Sequence, residues 1–266
     1  MNLWLLAKAH VLARTWAIAN KHRFKVDGYN LCSDTQCQVY KDPSKADQKI
    51  KRAIKTTAGK ILTWNQKPIN TVYHATNGGV MASIDEAWLT QPVPYMQMRL
   101  DGPKDWSRKV DLPLSSEEHL KSFLLSESEA FGSDHPLFRW NRTLESYEIS
   151  KQLTQAQKVT STFYPKKIDA ISRGKSGRVT SLKIEDNSGA EILLKLDDIR
   201  RVLRQLPSTL FVVNEIKEGK WRFSGGGYGH GAGMSQSGAI ELAKNGWTTK
   251  QILSYYYPKT KYGFLP

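Results

Sequence analysis

The pattern of apolar and polar positions predicts alternating short helices and strands. At the start, Leu3, Leu6, Val11, Ala13 and Ala17 with basic residues at its end predict an amphipathic helix. It has neither an early positive region nor a small-residue cleavage site, so it does not read as a signal peptide. It also begins at the first residue without a cap or loop, which points to a segment missing upstream. Residues 24–42 read as loop, punctuated by Asp27-Gly28 and Asp42-Pro43. Ser44–Ala58 reads as a helix with Ser44 as cap, Ile50, Ala53 and Ile54 as its apolar stripe, and Gly59 as stop. Lys60–Trp64 and Pro68–His74 read as a hairpin across Asn65-Gln66-Lys67, delivering the segment His74–Gly79.

Gly102–Ser133 is Ser/Glu-rich and aperiodic, and reads as a long excursion with one short helix near Glu117–Ser126. Strand signals return at Phe138–Thr143, Tyr147–Ile149, Arg178–Ile184, Glu191–Leu196 and Phe211–Ile216, with a helix over Asp197–Leu206. The end reads strand, glycine-rich loop (Gly225–Gly233), helix (Ser235–Lys244) and a second helix around Thr249–Tyr256. Without a regular βαβ rhythm, the expected class is α+β: helices and antiparallel strands in one compact domain with a variable middle. The expected division is 1–101, a variable excursion at 102–165, and a C-terminal part at 166–266.

Composition narrows the partners. The 266 residues carry 39 Lys+Arg against 25 Asp+Glu, a formal charge of +14, with 8 Trp and 11 Tyr. That excludes a disordered chain, a collagen-like repeat and a disulfide-dense miniprotein. No window approaches the roughly 18 apolar residues of a membrane span. Polyanions are natural partners, although clusters such as Arg200-Arg201-Arg204 also fit solvated helix faces. No helix-turn-helix, zinc-finger or RNP pattern supports nucleic-acid binding.

Two segments carry candidate chemistry. Gly225–Ala239 places His230 among six glycines ahead of a helix that opens at Ser235-Gln236. Such a loop lets a ligand or another backbone approach closely, and a helix N-terminus also suits anions. No GK[ST] follows, so it is not a nucleotide P-loop. Cys32 and Cys37 lie five apart with no His beside them. A local disulfide or two thiols fits that spacing better than a zinc knuckle, although both remain candidate metal ligands.

At the glycine-rich segment the chain resembles the stage II sporulation protein D / LytB (amidase-enhancer) domain family. The match runs through Gly229-His230-Gly231-Ala232-Gly233-Met234-Ser235-Gln236, Gly238-Ala239, and Ile252-Leu253 to Thr260. Upstream, Ala13-Arg14-Thr15-Trp16-Ala17, Cys32–Tyr40, Thr76–Gly79, Glu86-Ala87-Trp88 and Pro94-Tyr95 resemble further family motifs. So do Arg173–Val179 and Leu206–Phe211. The resemblance covers nearly the whole chain.

It implies a peptidoglycan protein outside the cytoplasmic membrane. The sporulation members are lytic transglycosylases that cut peptide-stripped glycan strands; the LytB branch is described as enhancing a wall amidase. Stripped strands expose the lactyl carboxylate of muramic acid, a polyanion suited to a +14 chain. The resemblance also places the catalytic glutamate ahead of Met1, leaving Glu86 as the fallback acid. The other expectation for Glu86 is that it fixes the loop after Asn77-Gly78-Gly79. Arg14, His74, Asn77, His230 and Gln236 are the expected substrate-binding residues; Lys8 and one of Tyr255, Tyr256 and Tyr257 carry over more weakly. Family members with zinc hold it by two Cys and two His. Here Gln36 stands where one His belongs and Val26 near the other, with His22 and His74 as conceivable replacements, so no cofactor is expected. The expected partners are glycan strands and a wall amidase.

Overall fold

A computed structural model describes residues 3–33, 37, 42–159 and 163–264. In chain order the first elements are α1 (Leu3–Ala19), α2 (Gln48–Thr56), β1 (Lys60–Trp64), β2 (Lys67–Pro68) and β3 (Tyr73–His74). Next come β4 (Val80–Met81), β5 (Arg99–Leu100), α3 (Lys104–Ser107), α4 (Glu117–Leu125), β6 (Arg139–Glu145) and α5 (Ser146–Gln155). Then follow β7 (Pro165–Arg173), β8 (Val179–Asp186), β9 (Glu191–Lys195), α6 (Asp198–Val202), β10 (Phe211–Lys217) and β11 (Lys220–Gly226). The chain ends with β12 (Met234–Ser235), α7 (Gln236–Lys244), α8 (Thr249–Tyr256) and β13 (Lys261–Phe264). These helices and antiparallel strands in small sheets make the fold α+β.

The chain divides into two compact units, residues 1–73 with 239–266, and residues 74–238. In the first, α1 buries Val11, Leu12, Thr15 and Trp16 on one face, whereas Ala13 and Ala17, expected in its apolar set, are half-buried and the Leu3 and Leu6 side chains lie outside the described residues. The Thr15 hydroxyl donates to the Val11 carbonyl at 2.7 Å and accepts the Leu62 N–H at 3.1 Å, which ties α1 to β1. β1 lies between β13 and β2, antiparallel to both. The β1–β2 turn is two residues, Asn65 and Gln66, both at positive φ (48° and 63°), one shorter than the sequence suggested. α2 also starts later than expected, because Asp47 and not Ser44 caps it, accepting the Ile50 N–H at 2.8 Å. Ser44 instead bonds Asp42 within a separate turn, and Ile54, expected in the apolar stripe, is exposed.

In the second unit, two three-stranded antiparallel sheets, β10-β11-β6 and β7-β8-β9, share one core. Trp140, Leu144, Leu182, Ile184, Phe211 and Trp221 lie within it. α5 packs on this core through Ile149 and Leu153, four apart. Its stretch Tyr147–Ile149, expected as a strand, is helical: Glu145 and Glu148 form a reciprocal capping box that starts a helix there. β7 escaped the sequence reading because its alternation is weak, with three register irregularities and exposed Ser172 and Ile171. The Ser/Glu-rich stretch contributes core residues of its own: Trp106, Leu114, Leu120, Phe123 and Ala130 pack with Val80, Phe138, Leu210 and Val212.

Candidate functional site

The polar heart of the second unit is Arg178, at the entrance to β8 and 0% exposed. Burying a guanidinium is tolerable only where its N–H groups find acceptors. Here Nη2 donates to the Asn77 carbonyl at 2.9 Å, and Nη1 donates to the Val80 carbonyl at 3.1 Å and the Ser176 hydroxyl at 3.2 Å. Burial lowers its pKa to about 10, still far above neutrality, while Glu86 works the other way. Ser176 passes the interaction on: its Oγ donates to Glu86 Oε2, and its N–H reaches the same carboxylate at 3.2 Å. Glu86 therefore fixes the turn between β7 and β8, not the Gly78-Gly79 backbone. Its pKa is raised, chiefly by burial, with Ser176 and Arg178 pulling it back down.

Two glycines allow this packing. A Cβ at Gly174 would run into the Glu86 carboxyl, and one at Gly231 would run into the Arg178 guanidinium. Gly231 also sits at φ +80°, where side chains are strained. The glycine-rich loop is thus shaped to close over a buried charge.

The same loop assembles a histidine pair. Ala232 serves both rings: its carbonyl lies 3.1 Å from His74 Nδ1, and its N–H donates to His230 Nδ1 at 3.2 Å. These contacts give the two neutral imidazoles opposite tautomers, with His74 bare at Nε2 and His230 protonated at Nε2. Burial, then His230, then Arg178 hold the His74 pKa well below the usual histidine range. His74 Nε2 is buried and meets no hydrogen-bond partner among the described residues. The rings meet edge-on at 5.2 Å, and Trp88 lies 4.7 Å from His230. Trp88 and His230 are both half-buried.

Of the expected site residues, His74, Asn77, Glu86 and His230 belong to this network. Asn77 is consumed by it: Nδ2 donates to Asp101 at 2.6 Å and Oδ1 accepts the Gly79 N–H at 2.9 Å. Gln236 is exposed at the start of α7. Arg14 is in the first unit, where its guanidinium donates to the Thr57 and Lys60 carbonyls at 2.6 and 2.9 Å. Tyr256 and Tyr257 are buried, and the Tyr257 hydroxyl donates to the Val72 carbonyl at 2.6 Å. Cys32 and Cys37 are both thiols, with the Cys32 N–H 3.1 Å from Cys37 Sγ. Gln36, the segment Gln38–Tyr40 and the Lys8 side chain lie outside the described residues. Among the described residues no three His, Cys, Asp or Glu side chains gather as metal ligands.

Residues 82–233 match the family model described as a domain of unknown function (DUF8618), and residues 4–64 match the one described as Stage II sporulation protein. The amidase enhancer of Bacillus subtilis (strain 168) is 27% identical over 275 residues, which cover 97% of this chain and 38% of that protein. The stage II sporulation protein D of the same strain is 27% identical over 259 residues, 87% of this chain and 60% of that one. An uncharacterized protein of Brachyspira hyodysenteriae is 28% identical over 255 residues, 93% and 58% of the two chains. The chain belongs to the DUF8618 family, whose model covers more than half of it, and its N-terminal part matches the stage II sporulation protein family. It spans less than two thirds of the length of each of these relatives. Arg14 falls in the sporulation-protein match, whereas Glu86, Trp88, Ser176, Arg178 and His230 fall in the DUF8618 match. Family motifs pointed to Glu86-Ala87-Trp88 and to Arg173–Val179, but nothing in the sequence singled out Trp88 or Arg178. A lone arginine between glycine and valine at a strand entrance was the available signal.

Proposed function

We propose that this chain processes peptidoglycan glycan strands outside the cytoplasmic membrane, in the manner of a lytic transglycosylase, with Trp88 and His230 as its sugar-binding face. The observation that carries this reading is that pair: two half-buried flat rings, brought together from separate loops beside a buried network. Flat rings with a polar edge suit the apolar face and hydroxyl rim of a sugar. The +14 charge favours strands whose lactyl carboxylates are bare.

Cleavage needs a carboxyl that protonates the leaving oxygen and then takes the proton of the attacking 6-hydroxyl. Burial moves Glu86 in the right direction for an acid, but the turn at Gly174–Gly177 covers it and Ser176 holds it. We assign Glu86 to positioning, which leaves the acid to a carboxyl outside this cluster. The amidase-enhancer relative, aligned over 97% of this chain, favours a second reading: a non-catalytic wall-binding module that stimulates an amidase.

The deciding experiment incubates the chain with peptide-stripped glycan strands and scores binding by co-sedimentation and 1,6-anhydro ends by mass spectrometry. We expect binding that falls at least tenfold in Trp88→Ala, and new anhydro ends from a form that carries the acid. Binding without ends, with stimulation of a wall amidase, would select the second reading. Binding unchanged in Trp88→Ala would overturn the assignment of the sugar face.

A further inference from the structure

A cavity of about 530 Å³ opens elsewhere on the second unit, between α6 with the segment after it, β6 and the glycine-rich loop. Arg142, Arg200, Arg201 and Arg204 line it, with Tyr228 at one wall and Leu206 and Pro207 behind. The volume lies within the range of pockets that hold small ligands. The four cations are not equally occupied. Asp197, itself buried, accepts from Arg200 Nε at 2.6 Å and Nη2 at 3.0 Å, and from Arg201 Nε at 2.9 Å. That carboxylate sits beneath the two arginines and fixes them. It offsets one of four positive charges, leaving three.

Arg204 is exposed, and Arg142 is half-buried with one bond to the adjacent Asn141 carbonyl at 2.8 Å. One carboxylate has two oxygens and one charge, so it fits one guanidinium fork and leaves most of this pocket uncompensated. A phosphate group brings three or four acceptor oxygens and up to two charges. Tyr228 extends the site. Its backbone is clamped at both ends, with its N–H on the Thr76 carbonyl at 2.7 Å and the Gly229 N–H on the Pro207 carbonyl at 3.0 Å, yet its ring is exposed. A fixed aromatic face beside a cationic cavity suits a ring attached to the phosphate.

We propose that this cavity binds a phosphate ester carrying a sugar-sized ring, as a free sugar phosphate or as a unit of a phosphodiester polymer. The inference stands independently of the glycan-processing reading. The test is calorimetric titration of the whole chain at low salt with inorganic phosphate, glucose phosphate, glucuronate and a hexose-phosphate polymer. We expect saturable binding of glucose phosphate, at least tenfold tighter than of glucuronate and tighter than of inorganic phosphate. The double variant Arg142→Gln/Arg204→Gln should lose at least tenfold of this affinity. Tyr228→Ala, a change to an exposed ring, should remove the preference for glucose phosphate over inorganic phosphate. Tighter binding per phosphate of the polymer would identify the polymer as the source; equal or weaker binding would identify the free ester. Glucuronate binding as tightly as glucose phosphate, no saturable binding, or unchanged affinity in the double variant would each overturn the proposal.

Discussion

Two arginine environments in the same unit show how differently one residue type is used. Arg178 is closed off from solvent, and its bonds go to two backbone carbonyls and to Ser176. The arginines around Tyr228 line an open cavity, and one buried carboxylate serves two of the four. In the first case the charge holds segments together that are about one hundred residues apart in sequence, from Asn77 and Val80 to β8. In the second, donor capacity is left over. A count of basic residues treats the two alike; only the acceptors around each decide which is structural and which is available to a ligand.

The largest effect should come from breaking the closed network. Arg178→Met keeps the bulk but strands the Asn77 and Val80 carbonyls and removes the cation facing Glu86. We expect a loss of about 3–5 kcal/mol in urea unfolding, the size seen when one partner of a buried ionic arrangement is deleted. A loss near zero would mean that the network does not hold the site. Next in size is Gly231→Ala, which combines a positive φ with a collision against the guanidinium. We expect about 2–4 kcal/mol, as strain and displacement of a buried charge add. Gly189→Ala is its control: φ is +84° there, but nothing lies within 4 Å of the added Cβ, so only about 1 kcal/mol should be lost. Equal losses for the two would show that the arginine exerts no packing constraint on the loop.

Much of this fold was legible where alternating strands write their burial into the sequence, as β8 does. The misread elements share a cause: side-chain chemistry at a boundary outweighed the local apolar pattern. Asp47 displaced Ser44 as the cap of α2, and the Glu145–Glu148 box turned an apparent strand into α5. The site divides in the same way. Glycines around His230 announced a close approach, but what approaches is Arg178, brought from a distant strand by tertiary structure. Trp88 was hidden for the same reason, since its neighbour His230 is remote in sequence.

The histidine pair adds a pH signature to the closed region. The folded-state pKa of His74 is depressed, so in the window below its ordinary 6.5 the unfolded chain binds the proton and the folded one does not. Stability should therefore fall as pH drops below about 6.5. Glu86 has the opposite sign: its pKa is raised above 4.5, so its contribution declines as pH rises through the window just above that value. His74→Asn retains a donor for the Ala232 carbonyl and removes the titration. Its stability profile should lose the decline that begins near 6.5 and keep the Glu86 component. An unchanged profile would show that His74 does not titrate differently in the two states.

The smallest effect on stability is expected at the open region, and its smallness sharpens the contrast. Arg204→Gln removes an exposed cation whose loss leaves no buried acceptor unsatisfied, and surface changes of that kind stay within about 0.5 kcal/mol. Urea unfolding with and without glucose phosphate separates the two roles of an arginine. Without ligand, the wild-type chain and Arg204→Gln should unfold together. With ligand, the wild-type chain should gain more stability than Arg204→Gln, because a bound ligand adds to the folded state in proportion to its occupancy. If Arg204→Gln instead lost as much as Arg178→Met without ligand, Arg204 too would be structural. The open pocket would then be a second closed network, without capacity left for an anion.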